Sequence, residues 1–256
     1  MILQKATELP YIPKRIISLV PSQTELLSDL GLDAETIGIT KFCVHPQTWF
    51  KTKERVGGTK TINFDKLYQL QPDLIIANKE ENVKEQVEQL ALNYPVWLTD
   101  VNNVEDALQM ITDIGTLTGK SGPALSLTEK IQKAFTGLAL IDKPVRTAYL
   151  IWRKPYMTIG SDTFIHDMLQ KCGFQNVFAD KTRYPEVSIA QLQTAHCQLL
   201  LLSSEPYPFK QKHIDELQSS LPATKIILVD GEFFSWYGSR LLQAPGYFKD
   251  LINSIR

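Results

Sequence analysis

Residues 121–140 constrain this chain more than any other stretch, because the same alternation of short apolar runs and amphipathic segments stands on both sides of them. Gly122 can cap a helix with Pro123 at its first position, where the missing N–H costs nothing. Leu127, Ile131, Ala134, Phe135 and Leu138 recur at the three- and four-residue spacing of one helical face. The spacing predicts about 18 helical residues, roughly 27 Å at 1.5 Å per residue. Such a segment reads as a rigid strut between two halves. The expected fold class is α/β, with two lobes of mainly parallel sheets, residues 1–119 and 142–256, joined by one long backbone helix at 120–141 and a ligand cleft between the lobes.

Size and charge agree with this division. A chain of 256 residues exceeds the usual single core, and each half is large enough to bury its own. The formal net charge of −1 gives no electrostatic reason to expect nucleic acid or an anionic membrane as partner. Cys43, Cys172 and Cys197 are too scattered for a disulfide framework or a Cys-based zinc site, and are expected as buried thiols. No apolar run approaches the roughly 18 residues that span a bilayer, so the chain is not expected to be membrane-embedded. Residues 1–13 lack the basic region, apolar block and cleavage site of a signal peptide. A cytosolic protein is one expectation from this, and a periplasmic one in mature or recut form is the other.

Residues 15–20 form a β-rich run stopped by Pro21, and Ser22-Gln23-Thr24-Glu25 reads as a capping box opening a helix. A strand running straight into a helix start leaves N–H groups where open α/β sheets bind ligands. Strands are expected at 36–40, 74–77, 95–98, 145–151 and 199–202. Helices are expected at 63–70 capped by Asn63, 83–92, 104–118, 163–171, 187–194 and 241–255. The segment 63–76 overlays 188–201 at a constant offset of 125 residues, so the two halves look like variants of one αβ plan.

The strand-end loops contribute Phe42, His45, Asn78, Lys79, Trp152, Arg153, Tyr156, Tyr184, Trp236, Tyr237 and Arg240. These rings, with a few positive and amide groups, suit a large, flat, partly anionic ligand. Catalysis would require a nucleophile beside a base, or paired acids, and neither is visible. His166 and His196 fall on predicted helices and His213 on a polar segment. Cys43-x-His45 supplies two metal-binding side chains without a second pair, so no protein-held metal is expected. Thr118-Gly119-Lys120-Ser121 echoes a phosphate loop, but Ile114 stands where the first glycine belongs and a helix precedes it.

The order of segments 15–25, 63–76, the mid-chain helix, Ile159-Gly-Ser-Asp162 and Trp236-Tyr-Gly-Ser-Arg240 resembles the substrate-binding proteins of ABC importers for vitamin B12, haem and iron-siderophores, most of all the vitamin B12 type. The resemblance covers nearly the whole chain. It implies a monomer of two lobes on one long helix, a corrinoid or iron chelate as ligand, no intrinsic cofactor, no catalysis and little hinge motion. It places Phe42, His45, Trp152, Tyr184 and the loop 234–240 at ligand-facing positions, while two family tryptophans are replaced here by Thr59 and Asn78. It also implies docking to an ABC permease through one carboxylate on each lobe. Asp65 matches the first, Ala190 occupies the second, and Glu186 is a neighbouring acid. Two alternatives stay open, a siderophore or haem receptor of the same family, and a cytosolic corrinoid-handling enzyme or sensor on this scaffold.

Overall fold

The computed structural model describes residues 1–138, 141 and 143–255. Two compact units emerge, the first made of Met1–Val101, Glu105–Gln132 and Trp236–Leu242, the second of Asn102–Val104, Lys133–Ser235 and Gln243–Arg256.

The chain begins β1 (Ile2–Leu3), β2 (Ile16–Ser18), α1 (Pro21–Asp29), β3 (Thr36–Ile39), α2 (Gln47–Thr52), β4 (Glu54–Arg55), α3 (Phe64–Leu70), β5 (Leu74–Asn78), α4 (Lys84–Ala91), β6 (Val96–Thr99), α5 (Val104–Thr118) and α6 (Ser121–Thr136). The six strands form one parallel sheet in the order β1-β6-β5-β2-β3-β4. The chain leaves β2 towards β3 and returns to its other side at β5, so the switch point lies at the carboxyl ends of β2 and β5. Both faces of β5 are covered, which is why Leu74, Ile75, Ile76 and Ala77 are all apolar and fully buried. Ile17, Leu19, Val56, Leu67 and Leu90 complete the core, each large side chain contributing about 1.5–3 kcal/mol of burial.

The second unit continues with β7 (Val145–Leu150), β8 (Tyr156–Met157), α7 (Phe164–Lys171), β9 (Phe174–Asn176), β10 (Glu186–Val187), α8 (Ile189–Thr194), β11 (Leu199–Ser203), α9 (Gln211–Ser220), β12 (Lys225–Val229), α10 (Glu232–Ser235) and α11 (Ala244–Ile255). Four strands form a parallel sheet in the order β12-β11-β7-β9, and β8 pairs antiparallel with β10. The switch point falls at the carboxyl ends of β7 and β11. Leu200 and Leu202 are fully buried among Leu150, Leu192, Leu217 and Ile226.

The repeat reappears in the elements. Asn63 caps α3 and Ser188 caps α8, and β5 and β11 occupy matching spans, all at the offset of 125 residues.

Several local expectations need correction. The helix predicted for 121–140 starts at Ser121, placing Gly122 and Pro123 inside it, and ends at Thr136. Ala139 and Leu140 lie outside the described residues. The Ser22–Glu25 capping box does not form, because Pro21 opens α1 without a side-chain cap and Glu25 turns to an arginine instead. Val187 belongs to β10, and residues 239–242 make a separate turn of 3₁₀ helix before α11 begins at Ala244. His213 is not on a polar surface but buried on α9, where its Nδ1 accepts from the Lys210 amide at 2.9 Å. His196 lies beyond the end of α8 with φ of 46°.

Candidate functional site

In the first unit the strand-end groups converge near the switch point. The Thr24 hydroxyl, in the first turn of α1, lies within hydrogen-bond distance of Ser18 Oγ at 2.8 Å, Val20 O at 2.9 Å and Cys43 Sγ at 3.1 Å. This network ties α1 to the loop after β3. Cys43 is thereby a buried thiol in hydrogen-bond contact with Thr24 and Thr40, its pKa pushed up to about 11 by burial.

Asn78 ends β5 and was expected to face a ligand, but its side chain is buried and committed to the loop it opens. Its Oδ1 accepts from the amides of Glu80 at 2.8 Å and Glu81 at 3.2 Å, and its Nδ2 donates to Thr99 O at 3.2 Å. Asn82 reinforces the loop, with Oδ1 accepting from Asn78 N at 2.8 Å. Together they position Glu81, whose carboxylate accepts the Tyr237 hydroxyl at 2.9 Å. Burial and Glu81 hold the Tyr237 phenol well above its usual range, so it remains a donor.

Tyr237 and Trp236 are both buried, which the sequence reading did not anticipate for loop residues. They belong to a segment, Trp236–Leu242, that packs within the first unit although it follows Ser235 of the second. Gly238 lets this segment approach α1, since a Cβ there would lie 2.4 Å from Ser22 O. Arg240 then donates Nε and Nη2 to the two carboxylate oxygens of Glu25, at 3.0 and 2.6 Å. Its guanidinium stands 4.8 Å from the Trp236 ring centroid, and His45 meets the same ring edge-on at 5.4 Å. Phe42 is 51% exposed, with Lys41 Nζ 5.1 Å from its centroid. Lys79 is exposed and paired with Asp100 at 2.7 Å.

In the second unit, Trp152 is 40% exposed beyond the end of β7 and meets Tyr207 edge-on at 5.7 Å. Arg153 Nη2 donates to both oxygens of Glu216, at 2.8 and 2.6 Å, which raises the guanidinium pKa further and lowers that of Glu216. Tyr156 is half-buried on β8. Tyr184 is half-buried with the Arg183 guanidinium 5.7 Å from its ring. Tyr149 lies wholly inside, its hydroxyl 3.0 Å from Ser203 Oγ.

The structure therefore brings His45, Trp236, Tyr237 and Arg240 into one cluster and sets Trp152, Arg153 and Tyr156 in another. Sequence reasoning missed the carboxylates Glu25, Glu81 and Glu216 that hold these clusters. Glu25 was legible only as a helix-start residue, and Glu81 only as part of a polar loop. Among the described residues no group of three or more His, Cys, Asp and Glu side chains is arranged to hold a metal ion. Nor is any helix long and apolar enough to cross a membrane.

Comparison with known proteins places these features in a wider group. The chain is 26% identical over 240 residues to the vitamin B12-binding protein of Pectobacterium carotovorum subsp. carotovorum (strain PC1), covering 91% of this chain and 86% of that protein. Among solved structures, it resembles the periplasmic vitamin B12 binding protein of Vibrio cholerae with a TM-score of 0.78 at 23% identity, covering 95% of this chain and 98% of that one. It also resembles the apo periplasmic haem-binding protein of Roseiflexus sp. RS-1, with a TM-score of 0.81 at 20% identity, covering 94% and 97%. Residues 16–226 match the sequence profile described as periplasmic binding protein, and the chain belongs to that family.

Proposed function

We propose that this chain is the substrate-binding protein of an ABC-type importer and captures a corrinoid, cobalamin-like chelate without changing it chemically. The observation that carries the reading is the ring cluster at the switch point of the first unit. There Trp236 touches both His45 and Arg240, with the exposed Phe42 ring on the neighbouring loop. Rings of this kind stack on a flat ligand, and the cations and amides around them meet its polar rim. Phe42, His45, Lys79 and Arg240 supply the contacts from the first unit, and the buried Trp236 ring backs His45 and Arg240. Within the second unit, Trp152, Arg153, Tyr156 and Tyr184 are a second set of groups suited to such a ligand. Asn78 and Tyr237 support the site from inside. The vitamin B12-binding relatives favour a corrinoid over the other chelates bound in this family. The metal arrives within the ligand, and the chain acts as a periplasmic monomer. Asp65, exposed in the first turn of α3, docks a permease, and Glu186 on β10 supplies the acid that the second unit lacks at Ala190.

Titration with dicyanocobinamide, cyanocobalamin, haemin and a ferric hydroxamate, followed by absorbance and tryptophan emission, tests this directly. Saturable one-to-one binding of a corrinoid, recovered unaltered by mass analysis, is the expected outcome. The variant Trp152→Ala should weaken that binding by about 1–3 kcal/mol if the exposed ring is a stacked anchor. A chemically altered corrinoid, or binding of haemin or the hydroxamate alone, refutes the reading.

A further inference from the structure

Both guanidiniums assigned to ligand contact are already held by carboxylates. Arg240 and Glu25 form a two-point pair whose side chains are only 11% and 16% exposed. Arg153 is held more loosely, through Nη2 alone to both oxygens of Glu216, with side chains 17% and 49% exposed and its Nε buried without a hydrogen-bond partner. Lys41 and Arg183, set over Phe42 and Tyr184, are exposed, where water and salt screen them. The desolvated cation beside Trp236 is the kind of group that ordinarily fixes a ligand carboxylate through its planar fork. Here the fork is taken. A ligand carboxylate brought to Arg240 would meet Glu25, and two like charges in a half-buried site repel. Displacing Glu25 would strand its own carboxylate without a partner. An amide carbonyl adds no charge, so it can share the guanidinium with Glu25 at no such penalty.

We propose that Glu25 is a specificity-determining residue, and that Glu216 repeats its part in the second unit. By neutralising Arg240 and Arg153 they select chelates whose rim carries neutral amides and reject those presenting free carboxylates. The inference rests on the corrinoid reading above and adds to it the class of rim chemistry accepted.

The test compares dicyanocobinamide, whose side chains end in amides, with dicyanocobyrinic acid, the same ring ending in carboxylates, at fixed pH and ionic strength. The unmodified protein should bind the amide form at least tenfold more tightly. Glu25→Gln should shrink that ratio threefold or more, by tightening the acid, and adding Arg240→Gln to it should abolish the gain. If Glu25→Gln does not fold, Glu216→Gln makes the same comparison at a more exposed carboxylate. A ratio unchanged in both single variants, or a preference of the unmodified protein for the acid, overturns the proposal while leaving the corrinoid reading standing. Failure of the unmodified protein to bind either ring overturns both.

Discussion

At Gly238 there is room for a hydrogen and little else, because an added Cβ would stand 2.4 Å from Ser22 O and 3.4 Å from Leu26 Cβ. Backbone sits on the near side of that contact, so no rotamer change relieves it. Gly238→Ala should therefore cost about 1–3 kcal/mol, read as a lower urea midpoint. It should also loosen Arg240 from Glu25. A second residue-level effect concerns acid. His166 is buried on α7, and its Nδ1 lies 3.2 Å from Asn176 Nδ2, a donor that favours the neutral ring. Burial lowers its pKa below the usual 6.5. The unfolded chain thus takes up a proton at higher pH than the native one. The stability held above about pH 6.5 is lost as pH falls from there through the depressed native value. Urea midpoints measured from pH 7 to pH 5 should decline, and His166→Gln should flatten that slope.

Among elements, α3 and α8 show how a repeated sequence yields a repeated device. Asn63 Oδ1 accepts from Lys66 N at 3.0 Å, and Ser188 Oγ accepts from Gln191 N at 3.2 Å while Gln191 Oε1 accepts from Ser188 N at 2.8 Å. Asn63→Ala and Ser188→Ala should each cost about 1 kcal/mol in thermal or urea unfolding. No loss in either case would refute the role of the cap. These helices and the strands after them were readable beforehand, because caps and buried parallel strands leave local, periodic marks. The bounds of α5, 104–118, were read correctly for the same reason. What stayed hidden was long-range pairing. Glu25 beside Ser22 carries the local mark of a capping box, and nothing nearby announces an arginine 215 residues away. The aromatic loop 233–237 was equally opaque, since burial of Phe234 against Tyr149 and Phe248, and of Trp236 and Tyr237 against other neighbours, depends on where the chain turns next.

For the whole molecule, the decisive fact is that the first unit is completed by Trp236–Leu242. That segment buries Trp236, Tyr237 and Leu241 and brings partners to Glu25 and Glu81. Three such side chains are worth about 1.5–3 kcal/mol each. A chain ending at residue 242 should accordingly protect the amides of α1 from hydrogen exchange more strongly than one ending at residue 235. Equal protection would show that the segment is only an ornament.

A ribosome releases α1 well before this segment, since Arg240 follows Glu25 by 215 residues. The first unit must therefore wait, unsealed, until Leu242 has emerged. A product terminated before Trp236 would keep that seam open, showing apolar surface to proteases and chaperones, so the fold carries its own check that translation passed Leu242.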